Sequence, residues 1–406
     1  MTLTVPDALS RLARLLPAPL YVVGGYVRNQ LMWGAPRSTD IDVCGAMTVD
    51  EVAATLAGTG AKVIPVNPRV GTVLLRYEGW DFEYTTFRRD SYPIGGVHTP
   101  DKVVFVGTVE EDAMRRDFRV NALYLDVASG EVLDPTGGIA DIRNGVISTT
   151  RTPREVFAED GLRILRMVRF CAELGFEPQA EALLVAKEMR RQLEDISPER
   201  KREELDKILL SDQKYGVADG PQRGVELLNE LELWPFLCLS GVRAINPIFA
   251  SSRLETRLAA VCYAAAGAFA FALAGLALGK DGLRYANKQV EAVKRLLAGM
   301  DFPLPQDERY LWAAAYGDVI EEIGALWIDQ DKMVAARRAK EAIDNAKVPK
   351  SHKDLPITPN ELEEMGVPKP MLGKVMRGMV DWCIMHLTHP DHDTCVRLAK
   401  LPKEEI

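Results

Sequence analysis

The stretch that most constrains this chain runs from Tyr21 to Cys44, YVVGGYVRNQLMWGAPRSTDIDVC. Tyr21, Val22 and Val23 predict a short apolar strand, Gly24 and Gly25 a turn, and Arg28 lies one turn into the helix that follows. A second predicted strand carries Asp40 and Asp42 either side of Ile41. Side chains alternate along a strand, so the two carboxylates share one face while Ile41 and Val43 bury on the other. Carboxylates that close repel each other unless a cation lies between them, and oxygen-only ligands suit Mg²⁺. The Gly-Gly turn leaves backbone N–H groups unobstructed at a helix N-terminus, which attracts anions. A phosphate cradle beside a metal-binding carboxylate pair is the equipment of nucleotidyl transfer.

At 406 residues the chain has room for two to four modules. Its 50 Lys and Arg against 58 Asp and Glu give a formal net charge of -8. That balance argues mildly against a nucleic-acid partner, yet a local basic stripe on an acidic protein still binds phosphate. Six cysteines lack zinc-finger or C-x-x-C spacing, and no secretory apolar segment opens the chain, so a reducing cytoplasm is expected. Leu258 to Gly279 is uncharged and long enough to span a bilayer. Ala and Gly dominate it and no second span accompanies it, so closely packed bundle helices are predicted and no membrane contact.

Within the first 150 residues the pattern is mixed. Leu9, Leu12 and Leu16 predict an amphipathic helix over residues 7 to 16, and Val49 to Ala57 predicts another. Strands are predicted for Lys62 to Pro65, Gly71 to Tyr77 and Trp80 to Thr85. In the last, Phe82-Glu83-Tyr84 repeats the apolar-acid-apolar pattern, which makes Glu83 the third candidate for a metal-facing carboxylate. Residues 86 to 101, rich in Gly and Pro, predict a mobile loop. Glu110 to Asp126 then predicts a short acidic helix, the Arg115-Arg116-Asp117 run and a strand beginning near Asn121; Asp134 to Gly138 predicts a turn.

From Pro153 onward helical periodicity takes over, placing a boundary near residue 150. In Glu159 to Phe170, Asp160, Arg163, Arg166 and Arg169 recur every three residues, predicting one helix face beside a buried stripe of Leu162, Leu165 and Val168. Taken alone this is a solvated, ion-paired face; beside the upstream D-x-D and R-R-D it becomes a candidate ligand face. Ser197 and Pro198 predict a helix N-cap and N1. In the tail, Cys383, His386, His389, His392 and Cys395 stand three apart, but Pro390 interrupts the helix, so a structural role is expected over zinc or phosphohydrolase chemistry. Lys369, Lys374, Arg377, Arg337 and Arg338 are candidates for RNA phosphate contacts.

Gly-Gly-x-Val-Arg followed a dozen residues later by D-x-D resembles the signature of the DNA polymerase beta superfamily. Within it the chain is similar to the class II tRNA nucleotidyltransferases, the CCA-adding family, and to bacterial poly(A) polymerases. The resemblance is dense from Tyr21 to about Leu209 and looser beyond, where an ITPNELEEMGV element (Ile357 to Val367) agrees. It implies an α+β chain: a polymerase-beta-like head with a mixed β-sheet (1–150), then an all-α neck (151–215), body (216–300) and tRNA-binding tail (301–406). It also implies template-independent addition of CCA to the 3′ end of tRNA from CTP and ATP, by two-metal transfer with release of pyrophosphate. Carried across, Asp40 and Asp42 hold Mg²⁺, with Glu83 beside them. Gly24, Gly25 and Arg28 meet the triphosphate. Arg116, Asp117 and Asn121 correspond to ribose and phosphate contacts, and Asp160 and Arg163 to the template for the base, supported by Arg166 and Arg169.

That template has a physical rationale. Cytosine and adenine both offer an amine donor beside a ring-nitrogen acceptor, whereas uracil and guanine offer the reverse. One acceptor from Asp160 and one donor from Arg163 therefore accept C and A and leave U and G unpaired, at a cost of about 1–3 kcal/mol. The sequence departs from the family at Asn29, where Asp is usual, in the loop segment Gly96 to Asp101, which lacks the family's Arg, and in Ser148 to Pro153. The alternatives are an enzyme adding only CC, a poly(A) polymerase, a small-molecule nucleotidyltransferase, and a catalytically inactive RNA-binding protein. Nothing in the sequence sets an oligomeric state.

Overall fold

The computed structural model describes residues 3–37, 39–91, 102–239, 241–242, 251–265, 274–276, 282–303, 306–327 and 329–400. The chain divides into two compact units, Met1–Ala244 with Ala265–Tyr285, and Ile245–Ala264 with Ala286–Ile406.

The first unit begins with helix α1 (Asp7–Leu15), whose Leu9 and Leu12 are fully buried, as the leucine spacing predicts. Strand β1 (Tyr21–Val23) leads through Gly24 into α2 (Gly25–Trp33), and then comes β2 (Ile41–Gly45). Helix α3 (Val49–Leu56) opens on a capping box from Thr48 and Glu51. Strands β3 (Lys62–Asn67), β4 (Thr72–Tyr77) and β5 (Trp80–Thr86) follow. Beyond them lie β6 (Arg88–Ser91), β7 (Lys102–Phe105), α4 (Val109–Met114), β8 (Tyr124–Asp126), β9 (Val132–Leu133) and α5 (Gly138–Asn144).

Seven of these strands form one sheet in the order β3-β4-β5-β2-β1-β8-β9. Pairing is antiparallel except between β2 and β5, which run parallel. The sheet is therefore mixed, and the β2–β5 pairing sets Asp42 opposite Glu83. The core beneath is mainly aliphatic, with Val22, Val27, Ile41, Val43, Val52 and Leu75 all buried and Phe82 among them.

The structure corrects the sequence reading at three places. Residues 88 to 91, expected in a loop, pair with Lys102 to Phe105 as a two-stranded ribbon; the rest of that expected loop, 92–101, lies outside the described residues. Charged Arg88, Arg89 and Asp90 disguised the strand, because their charges are paired: Arg88 with Asp90, Arg89 with Glu111, and Asp90 also with Arg115. Asn121 starts no strand but closes a 3-10 turn (Arg119–Asn121), three residues before β8. Asp160 is not on the helix that carries the arginines: it ends α6 (Pro153–Glu159) in an extended conformation, and α7 (Leu162–Leu174) begins after Gly161. A side chain at Gly161 would come within 2.7 Å of Gln192, so the chain turns where only glycine fits.

Helix α7 is buried nearly all round: Leu162, Leu165 and Val168 as expected, but Arg163 and Arg169 as well. Around it lie α8 (Ala180–Glu188), α9 (Pro198–Leu209), capped by Ser197 with Pro at its start, α10 (Ser211–Tyr215) and α11 (Gly220–Glu230).

The second unit is helical throughout its described length. Leu254–Tyr263 is a helix whose Leu258 to Cys262 are all buried, within the uncharged run. No helix among the described residues is long and apolar enough to cross a membrane. Gln306–Tyr316, Gln330–Ala346 and Leu372–Met385 are further helices. Trp312 anchors an aromatic cluster with Phe302 at 4.9 Å and Trp327 at 5.6 Å, and each indole N–H donates to a backbone carbonyl. The tail cysteines Cys383 and Cys395 are buried, His386 stacks on Trp382, and His392 faces Glu361.

Candidate active site

The Gly-Gly turn and the acidic strand meet. Gly24 takes φ +80°, a conformation glycine alone adopts without strain, and caps the N-terminus of α2. A side chain there would start 3.9 Å from Asp42 Oδ2, so the opened helix N-terminus and the carboxylate share one recess. Ile41 and Val43 are buried, as alternation requires, and Asp42 points to the opposite face beside Glu83, its partner in register. Asp40 immediately precedes the strand.

The electrostatics of this corner suit a cation. Enclosure of its carboxylate raises the pKa of Asp42; Glu83 and Asp40 push it further up, against the pull of Arg116. Among the described residues no closed cluster of three or more metal-ligating side chains exists. The fit therefore rests on an open, oxygen-only set: Asp42 and Glu83 side by side, with Asp40 two residues away. Hard divalent ions that keep several waters are bound by such sets.

Arg28 lies beneath the turn and is 2% exposed. Its guanidinium donates to Asn29 Oδ1 at 2.9 Å, Asn121 Oδ1 at 2.6 Å and the Tyr215 hydroxyl at 3.0 Å. Where an Asp would form an ion pair, Asn29 gives a neutral acceptor, and no carboxylate among the described residues pairs with Arg28. Burial lowers its pKa, against the weaker pull of Tyr215 and Glu173.

Arg116 donates to Asp112 and to the Tyr124 hydroxyl at 2.8 Å. Burial alone would raise the pKa of Asp112, but Arg116 and Arg115 more than offset it, holding the carboxyl at about 2. Asp117 is likewise held at about 2: burial opposes ionisation and Arg166, 2.7 Å away, prevails. Asn121 completes a relay, because its amide donates to Asp117 at 3.5 Å while its carbonyl oxygen receives Arg28. The sequence-predicted set Arg28, Asn121, Asp117 and Arg166 is thus one connected chain of hydrogen bonds.

The two residues of the expected base template are engaged as well. Asp160 accepts from the Leu162 N–H at 3.0 Å and from Arg200 at 2.7 Å. Arg163 donates to Glu159 at 2.7 Å and to the carbonyls of Val156 and Arg115. Arg169 sits between Glu204 at 2.6 Å and Glu173 at 3.0 Å, all three buried. Sequence reasoning missed Glu159, Arg200, Tyr215 and Phe170, whose ring lies within 6 Å of the guanidinium carbons of Arg28, Arg166 and Arg169. Glu159 and Phe170 had a signal, four residues before Arg163 and four after Arg166; Arg200 and Tyr215 come from afar in sequence and had none.

Residues 20–148 match the family model of the poly A polymerase head domain. Residues 175–238 match a second model, described as the probable RNA and SrmB-binding site of polymerase A. A CCA-adding enzyme of Bacillus pumilus (strain SAFR-032) is 32% identical over 237 residues, covering 55% of this chain and 57% of that protein. One from Geobacillus sp. (strain WCH70) is 35% identical over 240 residues, covering 59% and 55%. The matched stretch thus spans little more than half the length of these relatives.

In fold the likeness is longer. The structure of the Bacillus stearothermophilus CCA-adding enzyme in complex with CTP superposes with a TM-score of 0.72 at 24% identity, covering 97% of both chains. That of the Thermotoga maritima CCA-adding enzyme complexed with tRNA gives 0.67 at 19% identity, covering 97% of this chain and 95% of that one. The α+β architecture, a mixed-sheet head followed by helices, is therefore that of these enzymes. The oxygen-only carboxylates of the recess fit a divalent metal ion.

Proposed function

We propose that the chain is a tRNA nucleotidyltransferase that adds CCA to the 3′ end of tRNA from CTP and ATP, with Mg²⁺ as the metal. The observation that carries this reading is the meeting of the Gly24–Gly25 turn with Asp42 and Glu83, joined through Asn121 and Asp117 to the arginines of α7. The reading assigns 1–150 to a catalytic head, 151–215 to a neck that selects the base, 216–300 to a body and 301–406 to a tRNA-binding tail. The cytoplasm, where tRNA is processed, is its proposed place of work.

When bound at Asp40 and Asp42, Mg²⁺ supplies Lewis-acid charge at the attacking 3′-hydroxyl and at the departing pyrophosphate. The residues of the chain do the rest. Backbone N–H groups at the start of α2 orient the phosphates, and Arg28 beneath them and Arg116 beside Asp42 balance the triphosphate charge. Glu83 orients the incoming hydroxyl. Asp160 and Arg163 present an acceptor and a donor to the base, held in place by Arg200 and Glu159. Asp117 and Arg166 fix the ribose end of the site and tie base choice to phosphate binding. No covalent intermediate on the protein is required.

The test is to incubate tRNA transcripts lacking CCA with each NTP, singly and in pairs, and resolve the products. CTP alone should add two residues, CTP with ATP three, and UTP or GTP none. Because the matched models carry the poly A polymerase name, the second reading is a poly(A) polymerase, which would extend with ATP alone and form long homopolymers.

A further inference from the structure

A buried guanidinium keeps its direction only if its donors are held, and Arg28 is held from two sides. Asn29 and Asn121 belong to the head; Tyr215 comes from α10, 187 residues further along the chain. The Tyr215 hydroxyl accepts from Arg28 at 3.0 Å and from the Asn29 amide at 3.4 Å. Tyr215 is itself fixed: its ring packs on Trp33 at 4.9 Å, Arg37 donates to its carbonyl at 3.2 Å, and it is 8% exposed. Trp33 ends α2, the helix that Gly25 begins. Tyr215 therefore grips that helix at its far end by ring stacking and near its start through Arg28.

The consequence for ligand charge follows from position. Arg28 Nη2 would be 3.4 Å from a side chain added at Gly25, so the guanidinium lies directly under the turn that opens toward Asp42. Its partners are all neutral, so none of them cancels the positive charge there. We propose that Tyr215 is a positioning residue for the triphosphate: its hydroxyl fixes Arg28 under the Gly-Gly turn, so that the neck sets NTP affinity irrespective of the base. The proposal rests on the nucleotidyltransferase reading for the role of Arg28.

Tyr215→Phe removes the hydroxyl and keeps the ring on Trp33. An interaction made equally with bound substrate and transition state shows in KM and not in kcat. The variant should raise KM for CTP and ATP by the same factor, roughly tenfold for one hydrogen bond to a charged group, with kcat and the CTP:UTP ratio within twofold of the parent. Equilibrium binding of inorganic tripolyphosphate to the full chain should weaken by that same factor. In an Arg28→Lys background the added effect of Tyr215→Phe should fall below twofold, because the two act as one unit. A purely structural tyrosine would instead lower the melting temperature and leave tripolyphosphate affinity alone. Unchanged tripolyphosphate affinity, or an equal loss in both backgrounds, would overturn the proposal. Tripolyphosphate binding needs no acceptor RNA, so a parent chain that binds it yet extends no tRNA would defeat the functional reading and leave this test standing.

Discussion

The recess of the head and the helix of the neck use the same residue types in opposite ways. In the head, like charges are gathered and left to a ligand: Asp42 stands beside Glu83 with its pKa pushed up, and Arg28 is buried among neutral partners. In the neck, unlike charges are spent on each other: Arg169 with Glu204 and Glu173, Arg166 with Asp117, Arg163 with Glu159, Asp160 with Arg200. A protein tolerates internal repulsion where a ligand will relieve it, and requires internal pairing where a charge must be buried without one. On the proposed reading the head's recess receives metal and phosphate, and the neck holds a rigid frame for a base.

The largest effect expected from breaking this contrast is in the head. Asp42→Ala should lower incorporation of CTP and ATP alike, on the order of a thousandfold or more, the scale of losing several kcal/mol of transition-state charge stabilisation. Binding of tRNA should survive, and the metal-free variant should melt no lower than the parent, since a crowded carboxylate has been removed. Single-turnover assays beside melting curves with and without Mg²⁺ check both halves; Mg²⁺ should raise the parent's melting temperature and leave the variant's unmoved.

The mirror experiment in the neck should act on stability. Glu204→Ala leaves Arg169, itself buried, with Glu173 alone, at an expected cost of about 3 kcal/mol in urea unfolding. A smaller effect comes from pH. Asp112 and Asp117 are both buried and depressed to about 2 in the folded chain. Their contribution, about 2 kcal/mol each, is complete above the unfolded value near 3.9 and is lost as pH falls from there through about 2. Unfolding free energy should therefore drop steeply with acid below pH 4, and Asp117→Asn should flatten that drop.

Much of the head was legible because its signals are local. Alternation around Ile41, the Gly-Gly turn and the leucines of α1 each involve residues a few positions apart. The wiring of the neck was not. The run Asp160, Arg163, Arg166, Arg169 reads as one solvated helix face, and the glycine at 161 was the only sign that the helix breaks there. The partners of that run are Asp117 for Arg166, Arg200 for Asp160 and Glu204 for Arg169, residues that tertiary packing brings in from 35 to 49 positions away. Arg28 shows the same limit, since its third acceptor lies in another helix altogether.

The smallest expected effect concerns the tail. Arg337 and Lys369 already pair with Glu321 and Glu363, so their removal should change tRNA binding less than that of Lys374 or Arg377. Neutralising a true phosphate contact lowers the salt slope of affinity by about one; titrations at several salt concentrations rank the four. An unchanged slope on Lys374→Gln with Arg377→Gln would remove this surface from the interface.

The division of labour itself, chemistry in the head and choice of base in the neck, is tested most directly by kcat/KM for all four NTPs with Asp160→Ala. The preference for C and A over U and G should collapse by about 1–3 kcal/mol, the cost of an unpaired buried polar group, while the better substrates are still incorporated. A uniform loss across the four NTPs, or unaltered selectivity with only a lower melting temperature, would contradict it and leave Asp160 and Arg200 as no more than an ion pair.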